Sequence, residues 1–260
     1  MAPDLRRHLT KDRPALSVTV LGSAGTAPHA DNPCSGYLVR TPSTTVWVDT
    51  GPGTYAALQE HVALADVDAI VVTHEHPDHW SDLAVVRNAA RYLLHLDQVS
   101  VLGTAGTHAL LATVLGGSTD PLRWTTVTDG AEATVGDVSL RFSRTDHPVE
   151  TLAVRAEAGG RVLAYSADTG PAWSFASLDP AGTGFDLALC EATLDPHEAG
   201  SVQHLTAAQA GAMADASKVQ RLALTHLVEG SASRREEEAA AADAFDGPVE
   251  IARPGYTFTV

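Results

Sequence analysis

Residues 71–80 read VVTHEHPDHW. An apolar, β-branched run breaks off into three histidines and an aspartate within six residues: His74, His76, Asp78 and His79. Imidazole and carboxylate are ligands for zinc and similar divalent first-row metals. In an extended segment, side chains two apart face alike, so His74 and His76 can turn towards one ion. Asp78 and His79 lie further round the turn and can reach a second. Four ligands on one tight loop favour two ions side by side, roughly 3.5–4 Å apart as in two-metal hydrolases. The plain alternative is a solvated histidine-rich loop or a structural metal. Structural zinc sites close with four ligands and tend to use cysteine, and no cysteine lies near this loop.

A two-metal site needs more ligands, and three candidates follow apolar runs elsewhere. RTDHPVET (144–151) supplies His147, VLAYSADTG (162–170) supplies Asp168, and RLALTHLVEG (221–230) supplies His226. A rigid sheet can aim each of them from the loop that follows its strand. Singly, each reads as an ordinary polar cap. Their joint placement with the six-residue motif gives them weight.

The rest of the chain sets the frame. Its 260 residues suffice for one large domain or two small ones, and 44% are hydrophobic, enough for a sizeable core. Short strands are expected at 16–21, 36–40, 45–49, 69–73 and 99–102, with helices at 54–64, 82–96 and 105–115. The second half repeats the scheme. Strands are expected near 123–128, 137–144, 151–157, 161–166, 186–191, 221–225, 249–251 and 256–259, and helices at 207–217 and 233–244. No Pro- or Ser-rich linker interrupts it, so the simplest reading is a single domain, 1–260, with 1–15 loosely ordered. Helices interspersed in both halves suggest two packed sheets with helices outside.

With 17 basic and 32 acidic residues the formal charge is −15. Such a surface disfavours a long nucleic acid, whose phosphates need many Lys and Arg contacts. No apolar run is long enough to cross a membrane, and the N-terminus lacks the apolar stretch of a secretory signal. Two cysteines, Cys34 and Cys190, make a disulfide framework unexpected and a reducing cytoplasm the natural compartment.

The chain resembles the metallo-β-lactamase fold superfamily over nearly its whole length. The order His74, His76, Asp78, His79, His147, Asp168, His226 follows that superfamily's pattern without a gap. The resemblance implies an α/β fold, an αββα four-layer sandwich of two mixed sheets flanked by helices. It also implies two divalent ions, zinc first with manganese or iron as alternatives. His74, His76 and His147 would hold one ion, and Asp78, His79 and His226 the other, with Asp168 bridging. An aspartate at the bridge separates the chain from true β-lactamases, which have cysteine there.

CEATLDPHEAGSVQHLTAAQAG (190–211) narrows the branch. Thr206 and Gln209 make a capping box that starts the helix at 207, and His204 sits just outside it. A helix N-terminus disfavours imidazolium, and Glu191 is the carboxylate that can restore it. The stretch resembles the tRNA 3′-processing endonucleases (ribonuclease Z) and related small phosphodiesterases, in which a Glu–His pair reaches the metals; by position these are Glu191 and His204. VTVLGSAGTAP (18–28) and VDTGPG (48–53) are similar to the same group. Asp49 then braces the metal loop, with a simple turn cap as the alternative. Gly22 and Gly25 read as no more than a turn.

One departure matters. The tRNA enzymes carry a long arm between the positions of His147 and Asp168, where this chain has only 20 residues. Small arm-less phosphodiesterases acting on cyclic nucleotides such as cAMP are the nearer resemblance. The expected partner is therefore a small anionic phosphodiester, with no membrane and with homodimerisation left open. In the expected mechanism a hydroxide bridging the ions attacks in line, Asp78 and Asp168 keep it oriented, and His204, held by Glu191, is the general acid. The rival readings are a tRNA 3′-processing endoribonuclease, a lactone or thioester hydrolase, and a non-catalytic metal-binding scaffold. Trp80, Trp124 and Trp173 are expected to pack in the core or at a rim rather than line a cleft. His8, His29, His61, His95, His108 and His197 read as surface or satisfied groups, and RREEEAAAADAF (234–245) as a solvated helix face.

Overall fold

The structure is a computed structural model that describes residues 14–228 and 233–260. The expectation of a loose N-terminus falls largely on 1–13, outside the described residues, as does His8. Among the described residues there are two seven-stranded sheets. The first contains β1 (Ser17–Gly22), β2 (Gly36–Arg40), β3 (Thr45–Val48), β4 (Ala69–Val72), β5 (Val99–Gly103), β6 (Leu122–Thr126) and β14 (Thr257–Thr259). Its order is β14-β1-β2-β3-β4-β5-β6, antiparallel as far as β3 and parallel from β3 to β6. The second contains β7 (Glu132–Val135), β8 (Val138–Arg144), β9 (Leu152–Ala158), β10 (Arg161–Tyr165), β11 (Leu187–Glu191), β12 (Leu222–Thr225) and β13 (Val249–Ile251). It runs β13-β12-β11-β10-β9-β8-β7, antiparallel from β7 to β10 and parallel from β10 to β13. Both halves thus switch from antiparallel to parallel pairing, which is the internal similarity read from the sequence.

Three apolar layers make the sandwich. The central one joins Val18, Val39 and Val71 of the first sheet to Phe142, Leu163 and Leu189 of the second. Outside the first sheet, Ile70 and Val72 pack under helices α1 (Thr54–Leu58), α3 (Asp82–Asn88) and α4 (Ala105–Val114) through Leu58, Leu83 and Leu111. Outside the second, Cys190 and Leu224 pack under α5 (Ala207–Ala216) and α6 (Arg234–Ala242). The expected αββα arrangement is the one observed. Strand β4 shows why its sequence is a continuous apolar run: Ala69 and Val71 face the central layer, Ile70 and Val72 the helices. Each such buried aliphatic side chain contributes about 1.5–3 kcal/mol, so the strand that aims the histidine loop is firmly anchored.

Some boundaries differ from expectation. The helix expected over 54–64 ends at Leu58, since amides 61 and 62 both close back on the Leu58 carbonyl and beyond it Leu64 is the next fully buried side chain. The helix expected over 82–96 is α-helical only to Asn88, then widens into a π turn at Ala89–Leu93. The motif itself forms a helical turn, α2 (Pro77–Trp80), with Pro77 at the first position, where no amide is needed. Strand β7 was not expected, because its EATV sequence is a half-exposed edge with little apolar signal. The run 234–245 is not wholly solvated: α6 buries Glu237 and Ala241 and packs against α5. Trp80 and Trp173 are buried, with indole donors on the Glu75 carbonyl and Ser143 Oγ, and half-buried Trp124 stacks on His108. Cys34 and Cys190 are separate, buried free thiols. No described helix is long and apolar enough to cross a membrane.

Candidate metal centre

The seven residues expected to gather do gather. Parallel pairing brings strand ends level: Glu191 of β11 is in register with Thr225 of β12, so the His226 loop emerges beside it. Asp49, His74 and Asp168 follow β3, β4 and β10 in the same manner, a placement at carboxyl ends of parallel strands that favours binding sites. One ligand atom from each of His74, His76, His147 and Asp168 lies within 4.8 Å of the others. Asp78, His79 and His226 form a second such group, and Asp168, His204 and His226 a third. Asp168 therefore stands between the first two groups, belonging to one and reaching His226 of the other.

The ring nitrogens are arranged as acceptors facing inwards. His79 Nδ1–H donates to Asp49 Oδ2 at 2.8 Å, and His147 Nδ1–H to the Gln203 carbonyl at 3.1 Å. Thr73 Oγ1 donates to Asp49 and so accepts from His74 Nδ1–H at 3.1 Å. Thr193 Oγ1 donates to Glu191 and accepts from His226 Nδ1–H at 2.8 Å. The opposite nitrogens then converge on the cluster: His79 and His226 Nε2 are 3.2 Å apart, and His147 Nε2 is 3.0 Å from His76 Nδ1. Such nitrogens repel unless a proton or a metal cation lies between them. His74 Nε2 and Asp168 Oδ1 are buried without any hydrogen-bond partner, although Oδ1 lies 3.2 Å from His79 Nε2. Buried orphan acceptors are costly, so this donor set fits divalent ions.

The charge states agree for His74 and His147, while His79 holds a proton. Burial, reinforced by neighbouring His79, pushes His74 down to about 4, and burial also lowers His147. Both rings are neutral and ligand-ready at pH 7. Burial opposes ionisation of Asp78 and Asp168, but the surrounding histidines outweigh it and hold both carboxyls well below their usual range. For His79 burial opposes charge, yet Asp168 and Asp49 raise it well above the ordinary imidazole value, so its Nε2 carries a proton that a bound cation would displace.

A family model described as "Beta-lactamase superfamily domain" matches residues 44–227. The chain belongs to that superfamily. The Uncharacterized protein Rv1339 of Mycobacterium tuberculosis is 32% identical over 268 residues, covering 95% of this chain and 93% of that one. The probable metallo-hydrolase YhfI of Bacillus subtilis is 29% identical over 256 residues, with 94% and 99% covered. The crystal structure of YhfI, a metallo-β-lactamase fold protein, superposes with a TM-score of 0.84 at 26% identity over 95% of this chain and 99% of that one. A ribonuclease Z of Methanopyrus kandleri is 31% identical over 144 residues, 55% of this chain and 50% of that one. With the clustered histidines and carboxylates, these matches make the chain a metallo-hydrolase of the superfamily.

Within this superfamily chain, the expected contact between Glu191 and His204 is also formed. Glu191 is fully buried and accepts from His204 Nδ1–H at 2.7 Å. Its other acceptor positions take the amides of Thr169, Thr193 and Leu205 and the Thr193 hydroxyl. Burial works against a charge on His204, but Glu191 outweighs it and the ring is raised. Asp49 is a brace rather than a turn cap: it accepts from the Thr73 amide and hydroxyl, His79 and Tyr165. Gly25 is more than a turn, since a Cβ there would stand 2.7 Å from the His226 carbonyl oxygen. Three supporting residues escaped the sequence reading: Thr73, Thr193 and Tyr165. For Tyr165 the available signal was period two, which puts it on the buried face with Leu163 and obliges its hydroxyl to find a partner.

Proposed function

We propose that the protein is a metal-dependent phosphodiesterase acting on a small anionic diester, with a cyclic nucleotide of the cAMP type as the substrate it suits. His74, His76, His147 and Asp168 would hold one divalent ion, and Asp78, His79, His226 and Asp168 a second, with zinc favoured over manganese or iron by the histidine-rich donor set. Bound there, divalent ions supply Lewis acidity and bring the pKa of a bound water towards neutrality.

The observation that carries the reading is the Glu191–His204 pair. One ring nitrogen of His204 lies within 4.8 Å of Asp168 and His226 ligand atoms, at the rim of the cluster. Nδ1 is committed to Glu191 Oε1, so Nε2 is the atom that delivers a proton to a departing alkoxide. Glu191 fixes the ring and, as a carboxylate, favours its protonated form. A poor leaving group such as a ribose oxygen needs that proton; a lactone or thioester gives the pair no evident task. Asp78 Oδ2, fixed by the Thr26 amide at 2.9 Å, and Asp168 would orient an attacking water by accepting its hydrogen bonds.

A second reading, tRNA 3′-processing endoribonuclease, is favoured by the similarity to ribonuclease Z. Against it stand the charge of −15 and the segment between His147 and Asp168, which is taken up by the β9–β10 hairpin turning at Gly159 and Gly160. The test is turnover of cyclic nucleotides, an aryl diester, a lactone and precursor tRNA by metal-loaded protein. His204→Ala is expected to retain metal and lose about 10²–10⁴-fold in rate on the cyclic nucleotide, with a smaller loss on the activated aryl diester. Equal losses on both diesters, or none on the cyclic nucleotide, would remove His204 as the acid.

A further inference from the structure

Six non-glycine residues among those described have a positive φ: Thr26, Asp49, His95, Ala167, Lys218 and His226. Four of them surround the metal centre. Three have an evident task there: Asp49 braces His79, His226 belongs to the ligand set, and Ala167 turns the chain just before Asp168. Thr26 is the exception. At φ 64 it is a β-branched residue in a region that glycine occupies without strain. Its amide donates to Asp78 Oδ2 at 2.9 Å, a task glycine would perform equally well. Its side chain is exposed, and its hydroxyl has no hydrogen-bond partner among the described residues. Strain kept at a site, with a side chain that supports nothing in the fold, points outwards to a ligand.

The position is well defined. Ala24 bridges to both Cys34 and Leu227, the Gly25 amide bonds the Leu227 carbonyl at 3.1 Å, and His29 pairs with Asn32. Asp78 Oδ2 lies 3.1 Å from His226 Nε2, and the His226 ring is stacked on His204 with centroids 5.7 Å apart. Thr26 and His204 thus reach the His226 side of the cluster by separate routes.

We propose that Thr26 is a substrate-contacting residue whose hydroxyl donates to a non-bridging phosphoryl oxygen of the diester while its amide holds Asp78. This rests on the phosphodiesterase reading. A hydrogen bond to a charged oxygen of this kind is worth about tenfold or more in kcat/KM.

The test compares Thr26→Val, which keeps shape and branching but removes the hydroxyl, with Thr26→Ser and Thr26→Gly. Thr26→Val and Thr26→Gly are expected to lose about tenfold or more on the diester, and Thr26→Ser to recover most of it. Metal-loaded Thr26→Val is expected to bind inorganic phosphate about tenfold more weakly by calorimetry. Metal-free Thr26→Gly is expected to melt no lower than the parent protein, because glycine accepts this backbone. Undiminished phosphate affinity in Thr26→Val, or a Thr26→Ser as impaired as Thr26→Gly, overturns the proposal. Loss of metal by Thr26→Gly also overturns it, by making the role structural. If the parent protein binds phosphate but cleaves no diester, the phosphodiesterase reading fails, and the phosphate comparison still decides whether Thr26 touches the anion.

Discussion

Replacing Asp49 by asparagine should loosen the metal centre without unfolding the chain. Asp49 is fully buried, and Oδ1 accepts from the Thr73 amide at 2.9 Å. Oδ2 accepts from Thr73 Oγ1 at 3.0 Å, His79 Nδ1 at 2.8 Å and Tyr165 Oη at 2.9 Å. An amide offers one oxygen for these four donors. If its oxygen stays on the Thr73 amide, its NH₂ faces His79 Nδ1–H. The two hydroxyls can rotate to accept, but the imidazole must move its proton to Nε2, the nitrogen that faces the cluster. If the amide flips, the NH₂ meets the Thr73 N–H, which cannot rotate. The first arrangement caps the nitrogen that faces the cluster with a proton, and the second leaves one buried donor unpaired, at about 1–3 kcal/mol. The backbone is not a confounder, since asparagine tolerates the φ of 58 as aspartate does. Removing the partner of a metal-binding histidine costs about 10–100-fold in metal affinity, or about 1.4–2.7 kcal/mol. Competition of zinc between the protein and a chromophoric chelator measures this directly. The loss should be largest for the ion held by Asp78, His79 and His226. It should be smaller for the other, which Asp49 reaches only through Thr73 Oγ1 and His74. Zinc affinities within twofold of the parent for both ions would refute the bracing argument.

Two further outcomes are expected. Burial lowers and Glu191 raises the pKa of His204, with Glu191 dominant. An acid catalyst works below its pKa and fails as pH rises through it, so Glu191→Gln should move the basic limb of the kcat profile to lower pH. A limb that stays in place would mean that another group sets it. Stripping metal with a chelator should lower Tm by about 5–10 °C relative to protein held at 100 times its metal Kd, because the converging nitrogens then lose their counter-charge. A calorimetric scan with no shift would count against a metal bound in the folded state.

Much of the centre was legible along the chain because its chemistry is local. HEHPDH states the ligand types, and an apolar run ahead of His74, Asp168 and His226 states that each leaves a strand. The capping box at Thr206 and Gln209 fixed the start of α5 to the residue, since cap hydrogen bonds join neighbours three apart. Strand β7 was less legible because its pairing with β8, and not burial or propensity, decides it, and the end of α1 because burial decides it.

Composition and order along the chain therefore determined the layer architecture, the clustered histidines and aspartates and the Glu191–His204 pair. Only the packed molecule decided what supports them. Tyr165 reaches Asp49 from the opposite sheet, Thr193 links Glu191 to His226, and the Thr26 amide holds Asp78 across 52 positions. None of these has a sequence spacing, because a hydrogen bond between loops depends on how the two sheets face each other. That arrangement is set by the whole central core, with Val18, Val71, Phe142, Leu163 and Leu189 meeting between the sheets.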